Sequence, residues 1–314
     1  MKKNNLAIVG AGICGLYAAY RLAQKGFEVT VFEKKSAPFG KVCSGLISAR
    51  LGNFIKIEKD FVLNQIDKCL INYPQKQVEL TMEPVHYVLD RNKINQRLMD
   101  LGRQAGVNYQ FGREIVEIPP GFSQYIFCDG AYSRAEKELA MASGDFYLGI
   151  QFISEEKDSQ NYVQTWAHKS GFYWRIPRGR DVEYGVMGEA KGLMDSFEKF
   201  CQEKKWPYQR EKIHSALIPH GLRKVISGNM AVCGDAAGLC KPWSGGGVIW
   251  GLTAADILAE NFPDLEKYNK KIQALFRPAI ARGNLAKKLT GFLGFNLPFL
   301  LPARYRRDND FPLL

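Results

Sequence analysis

The chain has 314 residues, 46% hydrophobic and 24% charged, a balance that gives a folded core and room for one large or two medium domains. The formal charge is +11, and from Leu265 onward ten Lys/Arg face three Asp/Glu, so a basic surface able to attract anionic lipid or an acidic ligand is expected there. No basic run interleaved with aromatics suggests a nucleic-acid partner, no apolar run reaches the roughly eighteen residues of a spanning helix, and no signal peptide precedes the first strand.

The first element is a short apolar strand, Leu6 to Val9, with the composition of a buried parallel strand. Gly10, Gly12 and Gly15 follow at G-x-G-x-x-G spacing, then an amphipathic helix over Leu16 to Lys25 and a second strand, Phe27 to Phe32, ending at Glu33. Gly10 permits the tight turn, Gly12 lets backbone approach a pyrophosphate, and Gly15 lets the helix pack on the strand. The helix N-terminus offers free N–H groups to phosphates. Glu33 stands where a carboxylate accepts hydrogen bonds from an adenosine ribose, which favours NAD or FAD over NADP.

Lys34 to Arg50 is rich in small and polar residues and is expected to be a loop passing the ligand. Strands are expected between Phe61 and Leu89 with a turn near Asn72 to Gln77. A helix over Lys93 to Gln104, headed by Asp90-Arg91, and a strand over Val107 to Phe111 follow. Tyr125 to Phe127 is a strand running into the turn Asp129-Gly130. Alternating stretches at Phe146 to Ile153, Tyr162 to Ala167, Phe172 to Ile176 and Val182 to Met187 predict an antiparallel sheet. A helix over Leu193 to Lys204 precedes another apolar strand, Met230 to Cys233, which ends at Gly234-Asp235. Pro242 and the cluster Gly245, Gly246, Gly247 then open a helix over Val248 to Asn261, with Ser244 an alternative N-cap.

The seven cysteines (Cys14, Cys43, Cys69, Cys128, Cys201, Cys233, Cys240) are odd in number and form no C-x-x-C pair. The four histidines show no ligand spacing, so neither a zinc nor a disulfide framework is expected, and the pattern suits a reducing, cytoplasmic setting.

Three strand-end motifs, at Gly10 with Glu33, at Asp129-Gly130 and at Gly234-Asp235, together resemble the FAD proteins of the p-hydroxybenzoate hydroxylase type, and among them the geranylgeranyl reductase family. The resemblance spans roughly Lys3 to Phe262. It implies that Asp235 meets the ribityl chain of FAD and that Pro242, Gly245 and Gly247 bring a helix N-terminus to the flavin. A reduced flavin carries negative charge, which a helix N-terminus stabilises. It further implies that Asp129, Gly130 and Arg91 lie near FAD, although a plain Asp-Gly turn and a solvated helix-start arginine are the alternatives. Lys41-Val42-Cys43-Ser44-Gly45 resembles the family's K-x-C-x-G loop beside the isoalloxazine, so Lys41 is assigned to the cofactor and Cys43 to catalysis, with an inert buried thiol the alternative. Phe172 to Arg178 resembles the family's Y-x-W-x-F-P-K, with Trp174 and Pro177 in register, which makes Trp174 pocket wall or core.

The expected fold is therefore α/β: a Rossmann-like FAD-binding domain with an inserted mixed β-sheet substrate domain and a short helical C-terminal segment. The expected boundaries are 1–50, 84–140 and 218–263 for the FAD-binding domain, 51–83 and 141–217 for the substrate domain, and 264–314 for the tail. The expected activity is reduction of C=C bonds in an isoprenoid lipid, with FAD as cofactor. The alternatives are a class A flavin monooxygenase and a non-catalytic flavin-binding lipid carrier or redox sensor. With no second G-x-G-x-x-G in the chain, electrons would come from transiently bound NAD(P)H or from a redox protein. The tail from Thr290 to Leu301, apolar with basic flanks, has two readings: a packed cover, or a peripheral membrane contact.

Overall fold

The computed structural model describes residues 5–40, 42–141 and 144–311. In chain order the helices and strands are β1 (Asn5–Val9), α1 (Ile13–Gln24), β2 (Glu28–Glu33), β3 (Leu46–Ser48), β4 (Val62–Tyr73), β5 (Lys76–Leu89), α2 (Arg91–Gln104), β6 (Asn108–Phe111) and β7 (Gln124–Phe127). They continue with α3 (Ala135–Glu138), β8 (Asp145–Ser154), β9 (Tyr162–His168), β10 (Gly171–Pro177), β11 (Val182–Gly188), α4 (Leu193–Lys204) and β12 (His214–His220). The last are β13 (Ile226–Ser227), β14 (Met230–Val232), α5 (Val248–Asn261), α6 (Leu265–Asn296) and β15 (Arg304–Asp308).

These elements form two compact units, each assembled from three chain segments. The first comprises Met1–Lys41, Arg91–Asp145 and Pro219–Ile280; the second comprises Val42–Asp90, Phe146–Ile218 and Ala281–Leu314. The expected seams at 50/51 and 83/84 move to 41/42 and 90/91. The reason is sheet pairing: β3 pairs with β5 in the second unit, and β5 runs unbroken through position 84.

The first unit holds a six-stranded sheet in the order β13-β14-β7-β1-β2-β6. All neighbours from β14 to β6 run parallel. Leu6, Ala7 and Ile8 of β1 are fully buried at the centre of the sheet, between the parallel neighbours β2 and β7. Helix α1 packs against both α2 and α5, and the hydroxyl of Tyr17 donates to Asp256 at 2.8 Å, with Arg21 on the same carboxylate. Helix α1 starts three residues earlier than its apolar spacing suggests, because Gly12 is its N-cap and the third glycine lies inside its first turn.

The second unit is a nine-stranded mixed sheet, β12-β8-β11-β10-β9-β4-β5-β15, with β3 also paired to β5. Strands β4 and β5 form a long hairpin closing between Tyr73 and Lys76, at the predicted turn. Helix α4 covers the β8–β11 side, where Phe152, Tyr184, Phe197 and Cys201 form a buried aromatic-rich cluster. Two features depart from expectation. The loop over 34–50 contains β3, whose Leu46, Ile47 and Ser48 pair with Val88, Tyr87 and His86. The segment from 264 is no separate tail: α6 runs 32 residues through Pro278, and β15 adds a parallel edge strand to β5.

Candidate active site

In the first unit the sequence motifs all stand at one edge. Strands β1, β2, β7 and β14 are parallel, so the turns that follow Val9, Glu33, Phe127 and Val232 lie at the carboxyl ends of neighbouring strands. The chain leaves β1 toward β2 on one side and returns to β7 on the other, and ligands of open α/β sheets bind at such a switch point.

Each glycine of the first turn meets a different constraint. Gly10 has φ +100°, and a Cβ there would sit 2.6 Å from the Cys128 carbonyl oxygen. A Cβ on Gly15 would approach the Gly10 oxygen to 2.0 Å, so helix and turn pack backbone on backbone. A Cβ on Gly12 would meet nothing within 4 Å; the space beside this helix start is open. Glu33 is fixed against the same turn. One carboxylate oxygen accepts the Ala11 N–H at 2.8 Å and the other the Lys35 N–H at 2.9 Å.

Helices α1 and α5 both begin without a side-chain cap, on Gly12 and Gly247. Ser244 is therefore not the cap of α5; it lies three residues earlier, with its hydroxyl accepting the Gly246 N–H at 3.4 Å. The first turns of the two helices adjoin each other, since the Cys14 thiol donates to the Gly251 carbonyl at 3.4 Å. Asp235 lies beside Gly247, where an added Cβ would be 2.8 Å from the Asp235 carboxylate. Buried Pro242 and the hydrogen bonds of Ser244 and Gly245 N–H to the Lys241 carbonyl fold the intervening loop tightly. Two adjoining, uncapped N-termini with glycine-lined approaches form a cradle for anionic and electron-rich groups.

The remaining assignments divide. Arg91 opens α2 and is buried at 8% exposure. Asp129 accepts the Ser133 hydroxyl at 2.5 Å and the Arg134 N–H at 2.6 Å, and Gly130 has φ +92°, so this motif is a braced turn at the sheet edge. Burial pushes the Asp129 carboxyl up from its ordinary pKa. Lys41 lies outside the described residues. Cys43 and Trp174 belong to the second unit.

Trp174 is half-buried on β10, packed against the cluster that includes Ile66, Val88 and Ile176, with its indole across Gly185. Its ring N–H donates to Glu183 at 3.0 Å. Sequence reading missed Glu183. This carboxyl is fully buried on β11, next to Arg178 at 3.4 Å and accepting from Gln151 at 3.3 Å. Burial outweighs the Arg178 charge and pushes it up to about 7. Arg178 also donates to the Ser44 carbonyl at 2.8 Å, so the loop bearing Cys43 is tied to the strand bearing Trp174. No signal in the sequence marked it, because an acid in an alternating strand ordinarily faces solvent; Glu183 is paired opposite Ile176 and buried instead.

A second feature escaped the spacing analysis. Cys14 lies in the first turn of α1, Cys128 and Cys233 directly follow β7 and β14, and the three sulfur atoms gather within 4.8 Å of one another. The Cys14 and Cys233 sulfur atoms lie 3.4 Å apart, and hydrogen bonding to Cys128 and Cys233, with burial, holds the Cys14 pKa well above the ordinary thiol range.

Comparison with known proteins agrees with this geometry. The NAD(P)-binding Rossmann-like domain family matches residues 8–48. A geranylgeranyl bacteriochlorophyll reductase-like protein from Thermoplasma acidophilum superposes with a TM-score of 0.75 at 19% identity, covering 93% of this chain and 88% of that one. A flavin-dependent brominase gives 0.75 at 12% identity over 92% of this chain and 88% of its own. The fold is that of the class to which this reductase-like protein and the flavin-dependent brominase belong. In sequence it is similar to the digeranylgeranylglycerophospholipid reductase 1 of Methanococcoides burtonii, 25% identical over 90% of this chain and 83% of the relative. Within the class, the resemblance is to the geranylgeranyl reductases.

Proposed function

We propose that the protein reduces carbon–carbon double bonds of an isoprenoid, geranylgeranyl-type lipid. The observation that carries this reading is the Arg178–Ser44 hydrogen bond. It joins the K-x-C-x-G loop to the W-x-x-P strand, the two motifs on which the resemblance to the geranylgeranyl reductases rests. The similarity to a digeranylgeranylglycerophospholipid reductase over 90% of the chain supports the same substrate class.

The donor set at the sheet edge fits FAD. The open space beside Gly12 and the α1 N-terminus suit the pyrophosphate, with Gly10 and Gly15 making the turn. Glu33 suits the adenosine ribose, Asp235 the ribityl hydroxyls, and the α5 N-terminus with Gly245, Gly246 and Gly247 the electron-rich ring. Gly234 supplies the φ +70° turn that aims Asp235, while Arg91, Asp129 and Gly130 complete the assignment around the cofactor. FAD held there would, in its two-electron-reduced form, supply the hydride for one alkene carbon and be left oxidised. Cys43 and Trp174 orient the apolar chain, Glu183 fixes the Trp174 indole, and the proton for the second carbon comes from an acid or water. NAD(P)H or a redox protein supplies the electrons.

Anaerobic titration tests the reading. The purified protein, loaded with FAD and bleached with dithionite, is expected to recover its flavin absorbance when a geranylgeranyl lipid is added, with the saturated product found by mass spectrometry. Recovery with oxygen alone would favour the monooxygenase reading, and flavin that no acceptor reoxidises would favour a carrier or sensor.

A further inference from the structure

Among the described residues nine large hydrophobic side chains are exposed, and six of them lie between Leu285 and Leu300: Leu285, Leu289, Phe292, Phe295, Phe299 and Leu300. Their exposure runs from 40% at Phe295 to 73% at Phe299. Leu285, Leu289 and Phe292 stand at i, i+4 and i+7 of α6 and so share one face, which the turn Pro298–Leu300 continues. A soluble helix turns this face inward. Here it cannot roll inward, because the opposite face is already fixed. Gly294 sits against the Tyr73 ring so closely that a Cβ would be 2.0 Å from it, and Lys287 lies over the Tyr147 ring at 4.2 Å. An outward apolar stripe of this extent marks an interaction surface.

Charge identifies the partner. From Ala281 to Arg307 the chain carries six Lys/Arg and no Asp/Glu. A two-fold pairing of this face with a second copy would bring like charges together around the apolar stripe, which opposes self-association. An anionic bilayer meets both features at once: acyl chains take the leucines and phenylalanines, and headgroups take the basic rim. No helix among the described residues is long and apolar enough to cross a membrane, so the contact is one of lying on the surface. We propose that the C-terminal half of α6 with the turn Pro298–Leu300 is a membrane-docking face for anionic lipid bilayers.

The test uses the full chain and vesicles free of isoprenoid, so its outcome is independent of the reductase reading. The protein is expected to co-sediment with phosphatidylcholine vesicles containing about one third phosphatidylglycerol, and more weakly with phosphatidylcholine alone or at high salt. Leu289→Asp with Phe292→Asp should weaken binding at least about tenfold, leaving the thermal melt and flavin content unchanged. Leu289→Ser with Phe292→Ser serves as a milder second variant, and Lys288→Glu should weaken binding to the anionic vesicles alone. Wild-type protein that stays in the supernatant with both vesicles overturns the proposal. So does a folded double variant that sediments like wild type, or a dimer in ultracentrifugation that the double substitution abolishes without any vesicle binding.

Discussion

Glu183 has two consequences that can be measured separately. Its buried carboxyl keeps a proton up to about pH 7, against 4.5 for the ordinary side chain. Between these values the folded chain binds more protons than the unfolded chain, so stability falls as pH rises through that window and levels off above it. The loss is on the order of 3 kcal/mol. Glu183→Gln should flatten the curve of melting temperature against pH between about pH 5 and 7. Because the carboxyl accepts from the Trp174 ring, the wild-type tryptophan emission should also change over the same window and the variant's should not. An unchanged slope in the variant would assign the pH dependence elsewhere. The glycines of the first turn separate in the same way. Gly15→Ala forces a Cβ onto the Gly10 oxygen at 2.0 Å and should cost about 3 kcal/mol or more, or prevent folding. Gly12→Ala meets no protein atom within 4 Å. It should change stability by about 1 kcal/mol at most while weakening FAD at least about tenfold, as read by flavin fluorescence titration. Equal stability losses for the two would remove the argument that the Gly12 space is the ligand's.

At the scale of elements, the first sheet was the most legible part of the sequence. Leu6 to Val9, Tyr125 to Phe127 and Met230 to Val232 are short apolar runs each followed within three residues by a glycine, and buried parallel strands have few other ways to be written. The strand-end turns were legible because each carries a glycine whose geometry is local. What the sequence concealed depends on distant partners. Leu46 to Ser48 is too short to show a period, and becomes a strand because β5 offers it an edge. The convergence of Cys14, Cys128 and Cys233 follows from strand order, which no spacing along the chain encodes. Glu183 looks like the polar member of an alternating strand, yet every residue of β11 is buried. A helical C-terminal segment was expected, but the length of α6 was obscured by Pro278, which ordinarily ends a helix and is here kept within 32 continuous residues. Burial of Tyr268, Ile272 and Phe276 before it outweighs the lost hydrogen bond.

For the whole molecule, α6 changes how the chain can be divided. Read from composition alone, the residues after 264 form an appendage to a finished fold. In the structure they complete both units. The Tyr268 hydroxyl donates to the Val232 carbonyl at 2.7 Å, at the end of the strand that leads into Gly234-Asp235, and Phe276 packs on the Trp250 ring at 5.2 Å. Farther along, β15 pairs through Arg304 to Asp308 with Glu79 to Glu83 of β5. A chain ending at Asp264 would therefore expose the buried faces of Trp250 and Val232 in one unit and an unpaired edge of β5 in the other. Loss of two fully buried aromatics costs about 3 to 5 kcal/mol each, comparable with the 5–15 kcal/mol that typically separates folded from unfolded domains. Such a truncation is expected to be insoluble or to melt without cooperativity, and to retain no FAD. The milder Tyr268→Phe should fold with a loss of about 1 to 3 kcal/mol, since it leaves the buried Val232 carbonyl without its hydroxyl donor. Circular-dichroism melts of the two variants decide the point. A soluble, cooperatively melting, flavin-loaded chain ending at Asp264 would return the C-terminal region to an appendage.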